Sequence, residues 1–241
     1  MPVRRGRMSR FERFEMLVGR DALSALKEKK VVVFGVGGVG GYVCEALARS
    51  GVGRIDVVDN DTVSLTNINR QIIATSDTVG RSKTSVMAER MKSINPDISV
   101  HEYNLFYLPE TADEIDLSEY DFVVDAIDTV SGKLELAIRC QKLGVPLVSS
   151  MGTGNKLDPS RIVVTDIYKT KICPLARVMR TLCKKNGIKK LAVVYSEEEP
   201  KIPMFQPSEN DNPNKVIPAS SAFVPPVAGL TIASYVVQKM M

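Results

Sequence analysis

One segment constrains the fold of this chain more than any other, because a buried-strand pattern runs directly into a glycine-rich turn. Val31-Val32-Val33-Phe34 is a fully apolar run, typical of a parallel strand covered on both faces. Gly35-Val36-Gly37-Gly38-Val39-Gly40 follows at once, matches G-x-G-x-x-G and precedes a helical pattern at residues 41–49. Glycines let the backbone approach a phosphate closely, and the following helix offers free N–H groups. We therefore predict a nucleotide-binding turn formed by Gly35, Gly37, Gly38 and Gly40.

Strand-like and helix-like segments alternate along the rest of the chain. Further strands are predicted at 54–59, 99–104, 121–126, 146–151, 161–167 and 191–195. Helices are predicted at 11–26, 83–94, 133–143, 174–185 and 227–240. Such alternation requires a parallel sheet with right-handed crossovers and helices on both faces. The predicted fold class is α/β, a doubly wound, mostly parallel Rossmann-like sheet with a smaller C-terminal elaboration.

The composition changes along the chain and indicates its organisation. Residues 1–9 are rich in arginine and are predicted to be a basic, disordered tail. The nucleotide-binding core is predicted at residues 10–155 and the elaboration at 156–241. Residues 197–218 are rich in Pro, Asn, Ser and charge, which predicts a mobile loop. We expect the apolar last helix to pack on the sheet or on a second subunit.

The cysteine and histidine content argues against several kinds of site. The chain has four cysteines, none in C-x-x-C spacing, and a single histidine, His101. A structural zinc site and a histidine-based catalytic triad are therefore not expected. No apolar signal segment follows the N-terminal arginines, and the longest apolar stretch is too short to cross a bilayer. We expect a cytoplasmic, reducing setting, and the net charge of +4 permits a nucleic-acid partner without requiring one.

Polar residues beyond the second strand indicate which nucleotide the glycine turn binds. Asp59 ends that strand and is placed to accept a hydrogen bond from a ribose hydroxyl. The turn and this acid alone favour a dinucleotide-binding dehydrogenase. A triphosphate additionally needs amides and cations, because charge builds up at the phosphorus under attack. After Asp61, residues of these kinds follow in order: Asn67, Arg70, Gln71 and Lys83. Asp128 then lies at the sheet edge, where a carboxylate can hold Mg²⁺.

As a set, these motifs resemble the adenylation core of ubiquitin-activating (E1-like) enzymes over roughly residues 10–155. The matching pieces are the glycine turn, Asp59-x-Asp61-x-Val63, Asn67-x-x-Arg70-Gln71, Gly80-x-x-Lys83 and Asp125-Ala126-x-Asp128. The resemblance implies that the chain uses ATP and Mg²⁺ to activate a carboxylate as its acyl-adenylate. It places Asp59 on the ribose, assigns the phosphates to Asn67, Arg70 and Lys83, and gives Asp128 the magnesium.

The same resemblance implies a homodimer in which an N-terminal arginine enters the neighbour's ATP site. Arg13 is our candidate for that arginine, and an ordinary arginine on a surface helix is the alternative. By this resemblance, the C-terminal elaboration would contribute to the dimer and would bind the substrate.

A narrower resemblance connects the chain with the tRNA threonylcarbamoyladenosine dehydratases. It is carried by Gly152-Thr153-Gly154-Asn155-Lys156, Thr165-Asp166-Ile167, Pro174-Leu175-Ala176-Arg177 and the run from Ser220 to Gly229. This resemblance implies that the threonine carboxylate of N6-threonylcarbamoyladenosine in tRNA is adenylated. The nitrogen of the same side chain then closes a ring and releases AMP.

The charge pattern after residue 168 agrees with an RNA substrate. No acidic residue lies between Lys169 and Lys190. Three of the basic residues in this stretch recur at helical spacing, on a face suited to a phosphate backbone, although an ordinary solvated face is the alternative. The candidate tRNA-binding residues are Lys169, Lys171, Arg177, Arg180, Lys184 and Lys185.

Two other functions stay open from the sequence. An E1-like activator of a small sulfur-carrier or ubiquitin-like protein would need a sulfur-transfer or diglycine-tailed partner, and Cys173 could receive the activated group. A small residue at a helix entry is the simpler interpretation of Cys173. An NAD-dependent oxidoreductase or a nucleotide-sensing binding module would explain the glycine turn but would leave a set of polar residues without a role, namely Asn67, Arg70, Lys83 and Asp128.

Overall fold

The apolar run before the glycine turn forms an interior strand of a seven-stranded sheet in the computed structural model, which describes residues 9–206 and 217–241. The strands are β1 (Lys30–Phe34), β2 (Arg54–Val58), β3 (Glu102–Tyr103), β4 (Phe122–Asp125), β5 (Leu147–Ser150), β6 (Ile162–Asp166) and β7 (Ala192–Ser196). The helices are α1 (Glu12–Val18), α2 (Arg20–Lys27), α3 (Gly40–Arg49), α4 (Lys83–Ile94), α5 (Val130–Leu143), α6 (Pro174–Lys185) and α7 (Val224–Met240).

The sheet has the order β3-β2-β1-β4-β5-β7-β6, and only β6 runs antiparallel to its neighbour. The chain moves outward from β1 to β3 and then returns to the other side of β1 with β4. This reversal leaves a crevice at the carboxyl ends of β1 and β4, where open α/β sheets bind ligands. The predicted doubly wound, mostly parallel sheet is confirmed.

Alternate residues of β1 face two apolar layers. Val31 and Val33 pack in the cluster that contains buried residues of α3, α4 and α7. Val32 and Phe34 pack on the opposite side with Leu136 and Cys140 of α5. Burial on both faces explains why this strand has no alternation of polar and apolar residues.

The C-terminal part extends the same sheet through β6 and β7 and covers it with α7. Of the two positions predicted for this last helix, the structure shows packing on the sheet layer: its buried face contacts α3, and an added Cβ on Gly229 would lie 2.4 Å from the Val39 carbonyl oxygen. The assignment of substrate binding and dimer contacts to residues 156–241 stays a prediction. None of the helices within the described ranges is long and apolar enough to span a membrane.

Several element boundaries differ from the sequence prediction by one residue, and three elements, β3, α5 and α7, differ by more. β3 has only two residues, because the N–H of His101 donates to the Asp56 carboxylate and interrupts the ladder that Ser99 begins. α5 begins three residues early, at Val130. α7 begins at Val224 because Pro225 and Pro226 occupy its first turn, where a helix needs no N–H donor.

Parts of two predicted segments lie outside the described residues, namely 1–8 of the tail at 1–9 and 207–216 of the loop at 197–218. The beginning of that loop is anchored to the fold. Glu198 is buried, and its carboxylate accepts hydrogen bonds from the backbone N–H groups of Leu157 and Asp158.

Candidate nucleotide-binding site

A cleft of about 790 Å³ opens at the carboxyl ends of β1, β2, β4 and β5. It brings together residues that are far apart in sequence, from the glycine turn through the segment after β4 to the first turn of α7. The predicted site residues that line it are Gly35, Gly37, Gly38, Asp59, Asp61, Asn67, Arg70, Gln71, Lys83 and Asp128.

The glycine turn is shaped by two close backbone approaches. Gly35 has a φ of 88°, and a Cβ there would lie 2.7 Å from the Ala126 carbonyl oxygen. A Cβ on Gly40 would lie 1.8 Å from the Gly35 carbonyl oxygen. Gly40 does not line the cleft, so its predicted nucleotide contact is replaced by a steric role: it lets α3 begin directly beneath the turn.

Asp59 supports the turn from the end of β2. One carboxylate oxygen accepts from the Val36 N–H at 2.7 Å, and the other accepts from the Asp61 N–H at 2.9 Å. A carboxylate has about four lone-pair sites, so both oxygens can still accept a ribose hydroxyl. Burial raises the pKa of this carboxyl, and the positive charge of Lys83 opposes that shift.

Lys83 is the first residue of α4 and points its ammonium group at two of these acids. Its Nζ lies 2.6 Å from an Asp61 oxygen and 3.9 Å from an Asp59 oxygen. The Lys83 side chain is only 7% exposed, whereas that of Asp61 is 62% exposed. The carboxylates therefore hold a nearly desolvated cation at the cleft wall, where an incoming phosphate would meet it.

The segment between Asn67 and Gln71 supplies further polar groups to the cleft. The Arg70 Nη1 donates to the carbonyl of Thr66 and to the side chain of Asn69, while its other two nitrogens contact no acceptor among the described residues. Burial lowers the pKa of Arg70, but a guanidinium stays protonated at neutral pH. Asn67 is partly committed to structure, because its Oδ1 accepts from the Ser64 N–H.

Gln71 carries an unsatisfied acceptor into the cleft. Its Oε1 is buried and has no hydrogen-bond donor within the part of the chain that the structure describes. Such an atom costs free energy until a donor reaches it, typically about 1–3 kcal/mol. A ligand hydroxyl or amine in this cleft would supply that donor, so the residues present fit a nucleotide.

The two acids after β4 have different surroundings. Asp125 is fully buried and accepts hydrogen bonds from Lys133 and Ser149, so it is not free to bind a ligand. Asp128 is exposed to the cleft, and its carboxylate accepts no hydrogen bond from any described residue. Mg²⁺ typically takes one or two carboxylates together with substrate phosphates, so a lone free carboxylate beside a triphosphate fits this ion. Within the described ranges, no group of three or more acidic, cysteine or histidine residues forms a separate metal cage.

Arg13 lies on α1, is exposed and does not line the cleft of its own chain. Its predicted contact with nucleotide therefore requires a second copy of the chain and stays a prediction.

The basic face predicted on α6 is present at the surface. Arg177 and Lys184 are exposed on this helix. Arg180 differs, because its Nη1 donates to the backbone and side-chain oxygens of Thr170 and ties α6 to the preceding turn. The other candidates in the same region, all exposed, are Lys169, Lys171 and Lys185.

Sequence reasoning missed several stretches of the cleft wall. These are 105–107, 150–156, 173–175 and 218–220. Residues 150–156 follow β5 at the same sheet edge, so the rule that identified Asp128 would have found them. Asn155, at a φ of 62°, exchanges two hydrogen bonds with Ala219 and thereby joins two of these stretches. Cys173 is buried in the wall at the N-cap of α6.

Comparison with known proteins agrees with this geometry. The ThiF family model matches residues 11–241. The tRNA threonylcarbamoyladenosine dehydratase of Bacillus subtilis is 43% identical over 242 residues, which cover 97% of this chain and 95% of that protein. The dehydratase of the same name from Escherichia coli is 41% identical over 197 residues, covering 78% and 74% of the two chains.

A solved structure extends the similarity to the fold. The crystal structure of the Escherichia coli tRNA N6-threonylcarbamoyladenosine dehydratase in complex with ATP superposes with a TM-score of 0.86 at 35% identity. The match covers 96% of this chain and 93% of that one. The chain therefore belongs to the ThiF family, and within that family to the tRNA threonylcarbamoyladenosine dehydratases.

Proposed function

We propose that this chain uses ATP to dehydrate N6-threonylcarbamoyladenosine in tRNA through a carboxyl-adenylate. The observation that carries the proposal is the composition of the cleft. A glycine turn, the cationic side chains of Arg70 and Lys83 and the free carboxylate of Asp128 line one cavity at the topological switch of the sheet. The Bacillus subtilis protein with the dehydratase name aligns with nearly the whole length of this chain.

In the first step, an oxygen of the threonine carboxylate attacks the α-phosphorus of ATP, and pyrophosphate leaves. Arg70 and Lys83 stabilise the negative charge that develops on the phosphates, since both present cationic nitrogen atoms to the cleft. The Asp128 carboxylate would hold Mg²⁺, which neutralises phosphate charge when it is bound. Asp59 orients the nucleotide through its ribose.

In the second step, the carbamoyl nitrogen attacks the activated carbonyl carbon, loses its proton and displaces AMP. One water is removed overall. Because nucleophile and electrophile belong to the same side chain, their effective molarity reaches on the order of 10⁵–10⁸ M in favourable geometries. No nucleophile from the protein is needed, which agrees with the burial of the Cys173 thiol.

We further propose that the tRNA lies along the basic face of α6. The helix begins at the cleft wall with Pro174 and Leu175 and carries Arg177 and Lys184 away from it. An RNA whose modified nucleotide enters the cleft would thus place its backbone phosphates along exposed cations.

A homodimer is the assembly that we propose, with Arg13 completing the neighbour's site. Met16 and Leu17, on the same helix as Arg13, are 82% and 80% exposed, as apolar residues of an interface would be in a single chain. We propose a cytoplasmic location, because the four free cysteines suit a reducing compartment and tRNA is processed there.

The proposal is tested by measuring AMP formation from ATP and Mg²⁺ with three potential acceptors. These are tRNA carrying N6-threonylcarbamoyladenosine, the same tRNA without the modification, and a diglycine-tailed sulfur-carrier protein. Only the modified tRNA should support AMP formation. Asp128→Asn should abolish it while the melting temperature stays unchanged. AMP formation with the carrier protein alone would replace the proposal with carrier-protein activation.

A further inference from the structure

We infer that Lys133 is a positioning residue for adenylation, acting through the buried carboxylate of Asp125 to fix the turn that presents Asp128. The inference rests on the proposed function, since it takes Asp128 as the residue that holds Mg²⁺. Lys133 lies on α5, outside the cleft lining, and is fully buried together with Asp125. Neither residue lines the nucleotide cavity, and their charged groups are paired with each other.

The hydrogen bonds of Lys133 account for all of its donors. Nζ lies 3.0 Å from each carboxylate oxygen of Asp125 and 3.0 Å from the carbonyl oxygen of Ile127. An ammonium group has three N–H donors, so each of them has one acceptor. One acceptor belongs to the peptide that directly precedes Asp128. The orientation of that peptide therefore follows the position of the ammonium group.

Asp125 connects this turn with the opposite wall of the cleft. Its Oδ1 also accepts from the Ile127 N–H at 3.3 Å, and its Oδ2 accepts from the Ser149 hydroxyl at 2.5 Å. Ser149 lies in β5, immediately before the stretch 150–156 that lines the cleft. The backbone of Ala126 is held separately, because its N–H donates to the Phe34 carbonyl at 2.8 Å. One buried ion pair thus links β4, β5 and the first turn of α5 through hydrogen bonds.

The energetics favour orientation over stability as the reason for this arrangement. A buried ion pair loses the hydration of both charges, and replacement by apolar residues of similar volume is often neutral or stabilising. This network lies beneath the turn that carries the free carboxylate of Asp128. We attribute the network to the need to keep that carboxylate in one position. Asp128 has no hydrogen bond of its own within the described ranges, so its backbone must be fixed from below.

The test compares two variants that disrupt the hydrogen bonds of Lys133 and Asp125 in different ways. Asp125→Asn with Lys133→Met replaces the ion pair by a neutral pair of similar shape and leaves no uncompensated charge. Lys133→Arg keeps the charge but puts a larger, planar group in a site shaped for an ammonium. The matched control is Arg54→Met with Asp56→Asn, which neutralises an ion pair on β2, a strand that does not neighbour β4; its carboxylate is fully buried and its arginine side chain is 26% exposed.

Three quantities are measured on each folded variant: the affinity for ATP without Mg²⁺, the gain in that affinity when Mg²⁺ is added, and hydrogen exchange of the Ile127 amide, which donates to Asp125. Both test variants should keep the metal-free affinity. Both should need roughly 10–100-fold more Mg²⁺ for half of the affinity gain, as is typical when a supporting group behind a metal ligand is lost. Exchange of the Ile127 amide should become about threefold to tenfold faster. The control should match the wild type in all three.

A folded test variant with wild-type Mg²⁺ dependence and wild-type exchange would overturn the inference, and so would a control that shows the same changes. None of these measurements uses tRNA, so they are independent of whether the chain dehydrates N6-threonylcarbamoyladenosine. Failure of the proposed function would instead appear as wild-type protein that binds ATP and Mg²⁺ yet forms no AMP with the modified tRNA.

Discussion

The glycine turn allows a prediction with two nearly identical substitutions and opposite outcomes. Gly40→Ala and Gly37→Ala each add one methyl group, three residues apart. At position 40, the new Cβ would lie 1.8 Å from the carbonyl oxygen of Gly35, a backbone atom that cannot rotate away. At position 37, the nearest heavy atom would be the Gln71 amide nitrogen at 3.9 Å, an ordinary contact.

These distances set the expected magnitudes. Overpacking typically costs about 1–3 kcal/mol, and a contact this short places Gly40→Ala at the upper end. For a chain of this size, each kcal/mol lowers the melting temperature by roughly 2–4 °C, so a loss of about 6–12 °C is expected. Gly37→Ala should leave the melting temperature unchanged or slightly higher, because alanine restricts the unfolded chain.

Gly37→Ala, the more stable of the two variants, should be the one that loses affinity for ATP. Gly37 lines the cleft, so its new methyl group would stand where a phosphate approaches the backbone N–H groups. Loss of one charge-assisted hydrogen bond, worth about 1.5–3 kcal/mol, corresponds to a roughly 10–100-fold weaker affinity.

Thermal unfolding and calorimetric ATP titration of both variants are the assays. The reasoning is refuted if Gly40→Ala melts within about 1 °C of the wild type, or if Gly37→Ala is the less stable of the two. Wild-type ATP affinity in Gly37→Ala would show that the glycine turn does not contact the phosphates.

Three more predictions follow from individual side chains. Arg177→Glu with Lys184→Glu should weaken tRNA binding and flatten its salt dependence, while Lys92→Glu, a single charge reversal on the exposed part of α4, should not; filter binding across a salt series measures both. Burial raises the pKa of Asp59, so acid should weaken ATP binding at a higher pH than the titration of an ordinary aspartate, and Asp59→Asn should remove that pH dependence. Cys173→Ser should leave dehydration of the tRNA nearly unchanged in a steady-state assay, and complete loss of turnover would indicate a covalent intermediate.

The sequence predicted the fold well wherever local pattern and long-range structure agree. β1, α4 and α6 have strong periodicity or clear boundaries, and the sequence placed their ends to within one residue. β3 was predicted too long because its limit is set by a side chain of another strand, Asp56, which no local pattern reveals. α7 was predicted to begin at residue 227, whereas Pro225 and Pro226 form its first turn.

The site was predictable to the extent that its residues follow strand ends. Asp59 and Asp128 both obey this rule, and the cleft indeed contains them. Lys133 could not have been identified in this way. In sequence it is an ordinary lysine in a helical pattern, and its burial depends on Asp125 and Ser149, which only the folded chain brings within hydrogen-bond distance of one another.

Dehydration of N6-threonylcarbamoyladenosine in tRNA can be tested by measuring the mass of the product nucleoside. The pure protein is incubated with ATP, Mg²⁺ and tRNA that carries N6-threonylcarbamoyladenosine, and the digested nucleosides are analysed by mass spectrometry. We expect the modified nucleoside to lose one water only when ATP is present, and we expect AMP to form in an equal amount. An unchanged nucleoside, from protein shown to bind ATP and to be folded, would contradict this expectation.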